Sequence, residues 1–253
     1  MRTLILLIAL ASTVLADPKR VLIIGQGPDG HPPGTHEFMA GARIVEKLLA
    51  DVPDVKTTVV DATEPWADGP KLLDQADAVV LLVSQGAMWM QTDEARLAAF
   101  KRLGERKGGL IALHWSIGAK EAKFMPAQLA LLGGTRGGPQ RKYIVLENDV
   151  KRVAPKHPIL SGIGDFRVKD EFYYRLELAK DMQPLLSTTL EGNEETICWA
   201  FERKDGGRSF GYVGLHFHDN WKREDYRRLV KQAVMWSLSI AVPEKGVPVA
   251  AVE

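Results

Sequence analysis

Histidine is the residue of this chain with the most chemistry to offer, and five of the six histidines fall in three short segments. These are Gly30-His31-Pro32-Pro33-Gly34-Thr35-His36-Glu37, Leu113-His114-Trp115-Ser116 and Gly214-Leu215-His216-Phe217-His218-Asp219-Asn220-Trp221. A fourth segment, Asp170-Glu171-Phe172-Tyr173-Tyr174, adds carboxylates and phenols. Imidazole changes charge near neutral pH and binds metals when neutral, so such a set could run acid-base chemistry or hold an ion. His216 and His218 are two apart, so in an extended chain both rings leave one face, the spacing of a bidentate metal clamp. A competing reading stands beside each residue. A histidine at a strand end also serves by hydrogen-bonding backbone, the aromatics also serve by packing, and Glu171 also serves as a structural ion pair. His157, before Pro158, reads as structural or solvent-exposed.

Gathering these segments requires a scaffold, and the apolar pattern supplies one. Continuous apolar runs predict buried strands over 21–25, 56–61, 77–83 and 109–113. Helices are predicted over 36–50 with Thr35 as N-cap, over 93–103 with Thr92 as cap and Gly104 past its end, and over 119–132 with a kink at Pro126. Alternation of this kind argues an α/β fold, a mostly parallel sheet covered by helices on both faces. Beyond residue 133 the pattern changes to a Gly-rich connection, strands over 143–146, 184–189, 197–201 and 210–214, and a closing helix over 224–238 whose Trp236 could face the sheet or a second chain. Ligands of open α/β sheets bind outside the carboxyl ends of the strands, where the histidine segments would lie.

Composition narrows the function. The 33 basic and 32 acidic residues create no field that would draw nucleic acid. The first residues, MRTLILLIALASTVLA, read as a secretory signal over 1–16, placing the protein outside the cytoplasm or in the periplasm; the apolar run is too short to span a hydrocarbon layer of ~30 Å, so no stable membrane insertion is expected after its removal. One domain is expected over 17–241, with a loosely held tail over 242–253. Cys198, the single cysteine, lies in an apolar run and reads as core. Ser116 lacks the Gly-x-Ser-x-Gly elbow of a serine hydrolase, and Gly25-Gln26-Gly27-Pro28-Asp29-Gly30 carries a proline that would disturb a phosphate-binding turn, so no nucleotide is expected.

The segments 31–38, 108–115, 157–166, 170–174 and 214–221, in that order, resemble the trehalose-utilisation, or ThuA-like, family. The resemblance implies a fold similar to class I glutamine amidotransferases, a flavodoxin-like three-layer sandwich, and a role on keto-sugars or oxidised disaccharides. Where those amidotransferases place a cysteine nucleophile, this chain has His114 and Trp115, which argues against amidotransfer. Leu215 departs from the glycine usual in the family before the matching histidine. The positions that match are His36, His114, Glu171 and His216, with His218 shared by a subset of relatives.

These readings combine into an enzyme acting on a small carbohydrate by proton transfer beside a carbonyl. His114, Glu171 and Tyr173 are the candidate catalytic groups; His36, His216 and His218 would hold a zinc-like divalent ion; His31, Trp115, Tyr174, Asn220 and Trp221 would contact the sugar. A non-catalytic sugar-binding protein is the alternative, whereas a purely structural exported domain would leave the histidines unexplained.

Overall fold

The computed structural model describes residues 17–252, so the signal reading over 1–16 lies outside the described residues. Strands β1 (Lys19–Gly25), β2 (Val55–Asp61), β3 (Ala78–Leu82) and β4 (Gly109–Leu113) form, with β11 (Arg208–Tyr212), the parallel half of a nine-stranded sheet ordered β2-β1-β3-β4-β11-β10-β9-β6-β7. Strands β3 and β4 are buried along their whole length, as continuous apolar runs between two helical layers must be. The antiparallel half is β10 (Asn193–Glu202), β9 (Gln183–Leu190), β6 (Lys142–Arg152) and β7 (Phe166–Tyr174), and a separate ribbon pairs β5 (Gly134–Thr135) with β8 (Glu177–Leu178).

Helices α1 (Phe38–Leu49) and α6 (Glu224–Ser237) pack together on one face, and α2 (Gly69–Gln75), α3 (Gly86–Gln91), α4 (Glu94–Glu105) and α5 (Met125–Leu132) form the other layer. The result is an α/β sandwich with a large central sheet flanked by helices. Fully buried Trp199, Tyr212, Tyr226, Phe100 and Phe172 are among the largest core side chains, and Cys198 is completely buried, its thiol pushed well up by that burial.

Several local expectations are corrected. Helix α1 begins at Phe38, and Thr35 does not cap it; the Thr35 hydroxyl donates to Pro32 O at 2.6 Å. Asp93 rather than Thr92 caps α4, accepting from Arg96 N at 2.8 Å, and the helix continues through Gly104 to Glu105. The helix expected over 119–132 is confined to α5, where Pro126 sits in the first turn, a place that needs no N–H, and kinks nothing. Segment 170–174 is the end of β7. The tail is tied down rather than loose: Val247 N donates to Gln232 Oε1 at 2.9 Å, Arg228 Nε to Val247 O at 3.0 Å and Lys231 Nζ to Pro248 O at 3.0 Å. Helix α6 is therefore enclosed between sheet and tail, and Trp236 packs against His157 within the chain, with ring centroids 5.2 Å apart.

Candidate active site

Three loops, each following a parallel strand, aim the histidines at one point. His36 after β1 and His114 after β4 have φ of 52° and 50°, and Leu215 before His216 has φ of 77°. Non-glycine residues seldom adopt this left-handed conformation, which costs on the order of 1–2 kcal/mol each, and such strain concentrates at functional sites. The first and last loops are zipped together: His36 N donates to His216 O at 3.1 Å, His218 N donates to Gly34 O at 2.8 Å, and Thr35 pairs with Phe217 as an isolated bridge. His114 opens a single 3-10 turn (His114–Ile117) pinned to the sheet by Ser116, whose hydroxyl accepts from Val83 N at 2.7 Å. The serine is thus held by backbone.

The fourth contribution comes from far away in the sheet order. Strand β7 is the last strand, yet the Tyr173 hydroxyl lies 3.1 Å from His114 Nε2, so the antiparallel half curls over the carboxyl ends of the parallel strands. A bulge in β10 at Thr196 to Trp199 accompanies the curl. Asp170, wholly buried, fastens β7 to the His216 loop by accepting from Leu215 N (2.8 Å), Glu171 N (2.9 Å), Tyr226 Oη (3.0 Å) and His216 N (3.1 Å). Burial pushes its carboxyl up to about 6, against the pull of these four donors.

At the centre His114 Nε2 lies 2.9 Å from His36 Nε2, 3.1 Å from His216 Nδ1 and 3.4 Å from Glu171 Oε2, and Glu171 Oε2 lies 3.4 Å from His216 Nδ1. The far side of two rings fixes their tautomers: His114 Nδ1–H donates to Val213 O at 2.7 Å and His36 Nδ1–H to Asp29 Oδ2 at 2.8 Å. Burial holds His114 well below the usual histidine pKa, lowers His36 despite Asp29, and brings His216 down to about 4. Both rings are therefore neutral at neutral pH with unprotonated Nε2 atoms facing each other at 2.9 Å, a repulsion that a cation between them would relieve, as would the Tyr173 hydroxyl 3.1 Å from His114 Nε2. All four ligand atoms fall within 4.8 Å of one another. Metal–nitrogen bonds of ~2.0–2.1 Å meeting tetrahedrally give edges of roughly 3.4 Å, against 2.9 to 3.4 Å for the four distances here, so these side chains could hold a zinc-like ion, with His114 and His36 each held from behind by a hydrogen bond.

Beside this group opens a cavity of about 440 Å³ whose lining includes Trp115, Arg136, Tyr143, Tyr173 and His31. His31 stacks on His36 with ring centroids 3.7 Å apart and is oriented by Asp29, whose Oδ1 is 2.7 Å from its Nδ1. Asp29 thereby bridges both histidines of its loop. Tyr173 stacks on the His114 ring at 4.7 Å, and burial pushes its phenol well above the ordinary range, so it stays protonated. Burial also raises Glu171, against a hydrogen bond from Tyr173.

The structure thus gathers His31, His36, His114, Trp115, Glu171, Tyr173 and His216, and leaves four expected residues out. His218 does not join His216 in a clamp: it opens the 3-10 turn His218–Lys222 and lines a separate water-sized pocket of about 20 Å³, and it is not among the four clustered ligand groups. Tyr174 alternates to the opposite face of β7 and donates to Glu191 Oε1 at 3.0 Å. Trp221 is core, packed under Gly41, and Asn220 donates to Lys169 O at 3.1 Å. His114 and Glu171, expected as acid-base groups, stand in the donor set. Asp170 was singled out with its segment but given no role, and Asp29 and Arg136 were not anticipated; of these two only Asp29, beside the His31 segment, had a sequence signal, its closeness to two histidines.

Comparison with known proteins agrees with this architecture. A ThuA-like protein from Bacteroides uniformis superposes with a TM-score of 0.68 at 16% identity, covering 92% of this chain and 96% of that one. A cytoplasmic protein from Salmonella typhimurium gives 0.58 at 14% identity, covering 88% and 99%. A β-galactosidase from Rahnella sp. R3 gives 0.56 at 14% identity over 88% of this chain and 31% of its own. These likenesses establish the fold. No curated protein matches the sequence. The family model described as trehalose utilisation matches residues 20–237, which span all four segments of the site, and the chain belongs to this ThuA family.

Proposed function

We propose that the protein is an exported carbohydrate-processing enzyme that moves a proton beside the carbonyl of a keto-sugar, with a divalent ion held by His36, His114, His216 and Glu171. The convergence of three ring nitrogens and one carboxylate oxygen within 4.8 Å supports this reading most directly. The trehalose-utilisation family supports the substrate class, a sugar or disaccharide, and a cavity of about 440 Å³ suits one sugar ring. Such an ion, when bound, supplies Lewis acidity that polarises the carbonyl oxygen.

The chain's own residues supply the rest. His31, with Nδ1 committed to Asp29, presents Nε2 as the base for the acidic C–H next to the carbonyl. The C–H electron pair moves into the carbon–carbon bond and the carbonyl π pair onto oxygen. Tyr173 holds that oxygen by donating its phenolic hydrogen, which burial keeps in place. His31 then returns the proton to the same carbon, re-forming the ketone, or to a leaving group on the next carbon, which departs with its bond pair as the carbonyl re-forms and the carbon–carbon double bond shifts to that carbon. Trp115 and Tyr173 wall the cavity and exclude water.

The test follows exchange of the α-hydrogen of 3-keto-glucose or 3-keto-trehalose in D₂O by NMR. Exchange that depends on protein and is lost in His31→Ala and Tyr173→Phe is the expected result. Tight binding of the keto-sugar with no exchange would replace the enzyme by a sugar-binding protein.

A further inference from the structure

Arg136 is the buried group lining the cavity that the chemistry above does not use. It is 5% exposed, yet its guanidinium makes no ion pair and no side-chain hydrogen bond among the described residues, and its Nε is buried without a partner. Buried arginines are ordinarily satisfied by carboxylates or carbonyls, because an unpaired buried charge costs several kcal/mol. Here the guanidinium packs on aromatic rings instead, 4.2 Å from the Tyr173 ring centroid and 4.5 Å from that of Trp115, the two rings lying on adjacent sides of it with centroids 5.7 Å apart. Its N–H groups make no hydrogen bond among the described residues and the residue lines the cavity, so they are available to a ligand there.

The backbone holds it firmly. Arg136 follows β5 and pairs with Gly118, with Arg136 N donating to Ile117 O at 3.0 Å and Ala119 N donating to Arg136 O at 2.9 Å. A Cβ on Gly118 would meet Arg136 O at 2.1 Å, so glycine is what permits the approach. The arginine is therefore anchored to the same turn that carries His114. Lys120 and Arg141 add positive charge to the cavity wall, and Glu171, the one carboxylate of the described residues lining it, is committed to the histidines.

We propose that Arg136 binds a carboxylate of the substrate through the unpaired N–H groups of its guanidinium, so that the sugar taken by this site is an acid sugar such as a hexuronate. The sugar part of this inference rests on the proposed function; the carboxylate part rests on Arg136 alone. An in-plane pair of N–H donors matches the flat, two-oxygen edge of a carboxylate.

The experiment measures binding of D-glucuronate, D-glucose, D-glucose 6-phosphate and acetate to the full chain by calorimetry, with Arg136→Gln and Arg136→Lys alongside. A charge-assisted pair is worth a preference for glucuronate over glucose on the order of 10- to 100-fold in the unaltered protein. That preference is expected to vanish in Arg136→Gln and to persist in part in Arg136→Lys. Equal binding of glucuronate and glucose by the unaltered protein overturns the proposal whether or not the variants fold. A stronger, Arg136-dependent preference for the 6-phosphate also overturns it, in favour of a phosphate site. Acetate binding as tightly as glucuronate, with the same dependence on Arg136, upholds the carboxylate site and refutes the sugar reading.

Discussion

Replacing Asp170 by asparagine tests how the fold aims the site. The carboxylate satisfies four donors, Glu171 N and His216 N on Oδ1 and Leu215 N and Tyr226 Oη on Oδ2. An amide keeps a single acceptor oxygen. With that oxygen on the Glu171 and His216 amides, the new NH₂ confronts Leu215 N–H donor to donor, whereas the Tyr226 hydroxyl can turn to accept. One buried backbone donor is left unpaired, at a cost of about 1–3 kcal/mol, and the bonds that remain lose their charge assistance. A total near 2–3 kcal/mol lowers Tm by roughly 5–10 °C for a chain of this size. Thermal unfolding followed by circular dichroism measures it, with Tyr226→Phe as the companion, since that variant removes one donor and leaves the carboxylate in place. An Asp170→Asn Tm within about 2 °C of the unaltered protein, or a larger drop in Tyr226→Phe, would refute the reasoning.

Three further outcomes are expected. Gly118→Ala forces the Arg136 carbonyl away from a 2.1 Å contact and costs about 1–3 kcal/mol of overpacking, read as a lower Tm; an unchanged Tm contradicts the close approach. Burial brings His157 down to about 4, below its unfolded value near 6.5, so as pH falls through that window the unfolded chain takes up a proton that the folded one refuses, and stability is lost. His157→Asn, whose Oδ1 can accept from Ile159 N as Nδ1 does at 3.2 Å, escapes that loss; its Tm gains on the unaltered protein between pH 7 and pH 4.5, and a constant difference would contradict the burial. Lys231, 3% exposed, donates to Asp51 Oδ1 at 2.6 Å and to Pro248 O, so Lys231→Met frees the tail and speeds tryptic cleavage after Lys245; equal cleavage rates would show that other contacts hold it.

Much of the scaffold was legible because buried parallel strands are written as uninterrupted apolar runs, and Val21-Leu22-Ile23-Ile24 and Ala78-Val79-Val80-Leu81-Leu82 became β1 and β3. The histidines after β1, β4 and β11 followed from the strand ends alone. Strand β7 was not legible, because its inward alternation stops at Asp170 and Glu171, two adjacent acids that are both buried and whose side-chain partners come mostly from segments distant in sequence. His218 misled for a related reason: two-residue spacing implies one face only where the chain stays extended, and the chain turns into the 3-10 segment His218–Lys222 at His218 itself. Arg136 lies in a Gly-rich connection with no periodicity, and its role depends on aromatic rings contributed by β7 and by the turn after β4. The sheet's curl, which sequence pattern does not encode, makes those contacts.

Metal content of the purified chain, measured by mass spectrometry after incubation with zinc, tests the central claim most directly. The donor set contains His216 and leaves His218 outside, so the account predicts near-stoichiometric zinc in the unaltered protein and in His218→Ala, and loss of it in His216→Ala. Absence of zinc from folded, unaltered protein, or its retention in His216→Ala together with loss in His218→Ala, would contradict it.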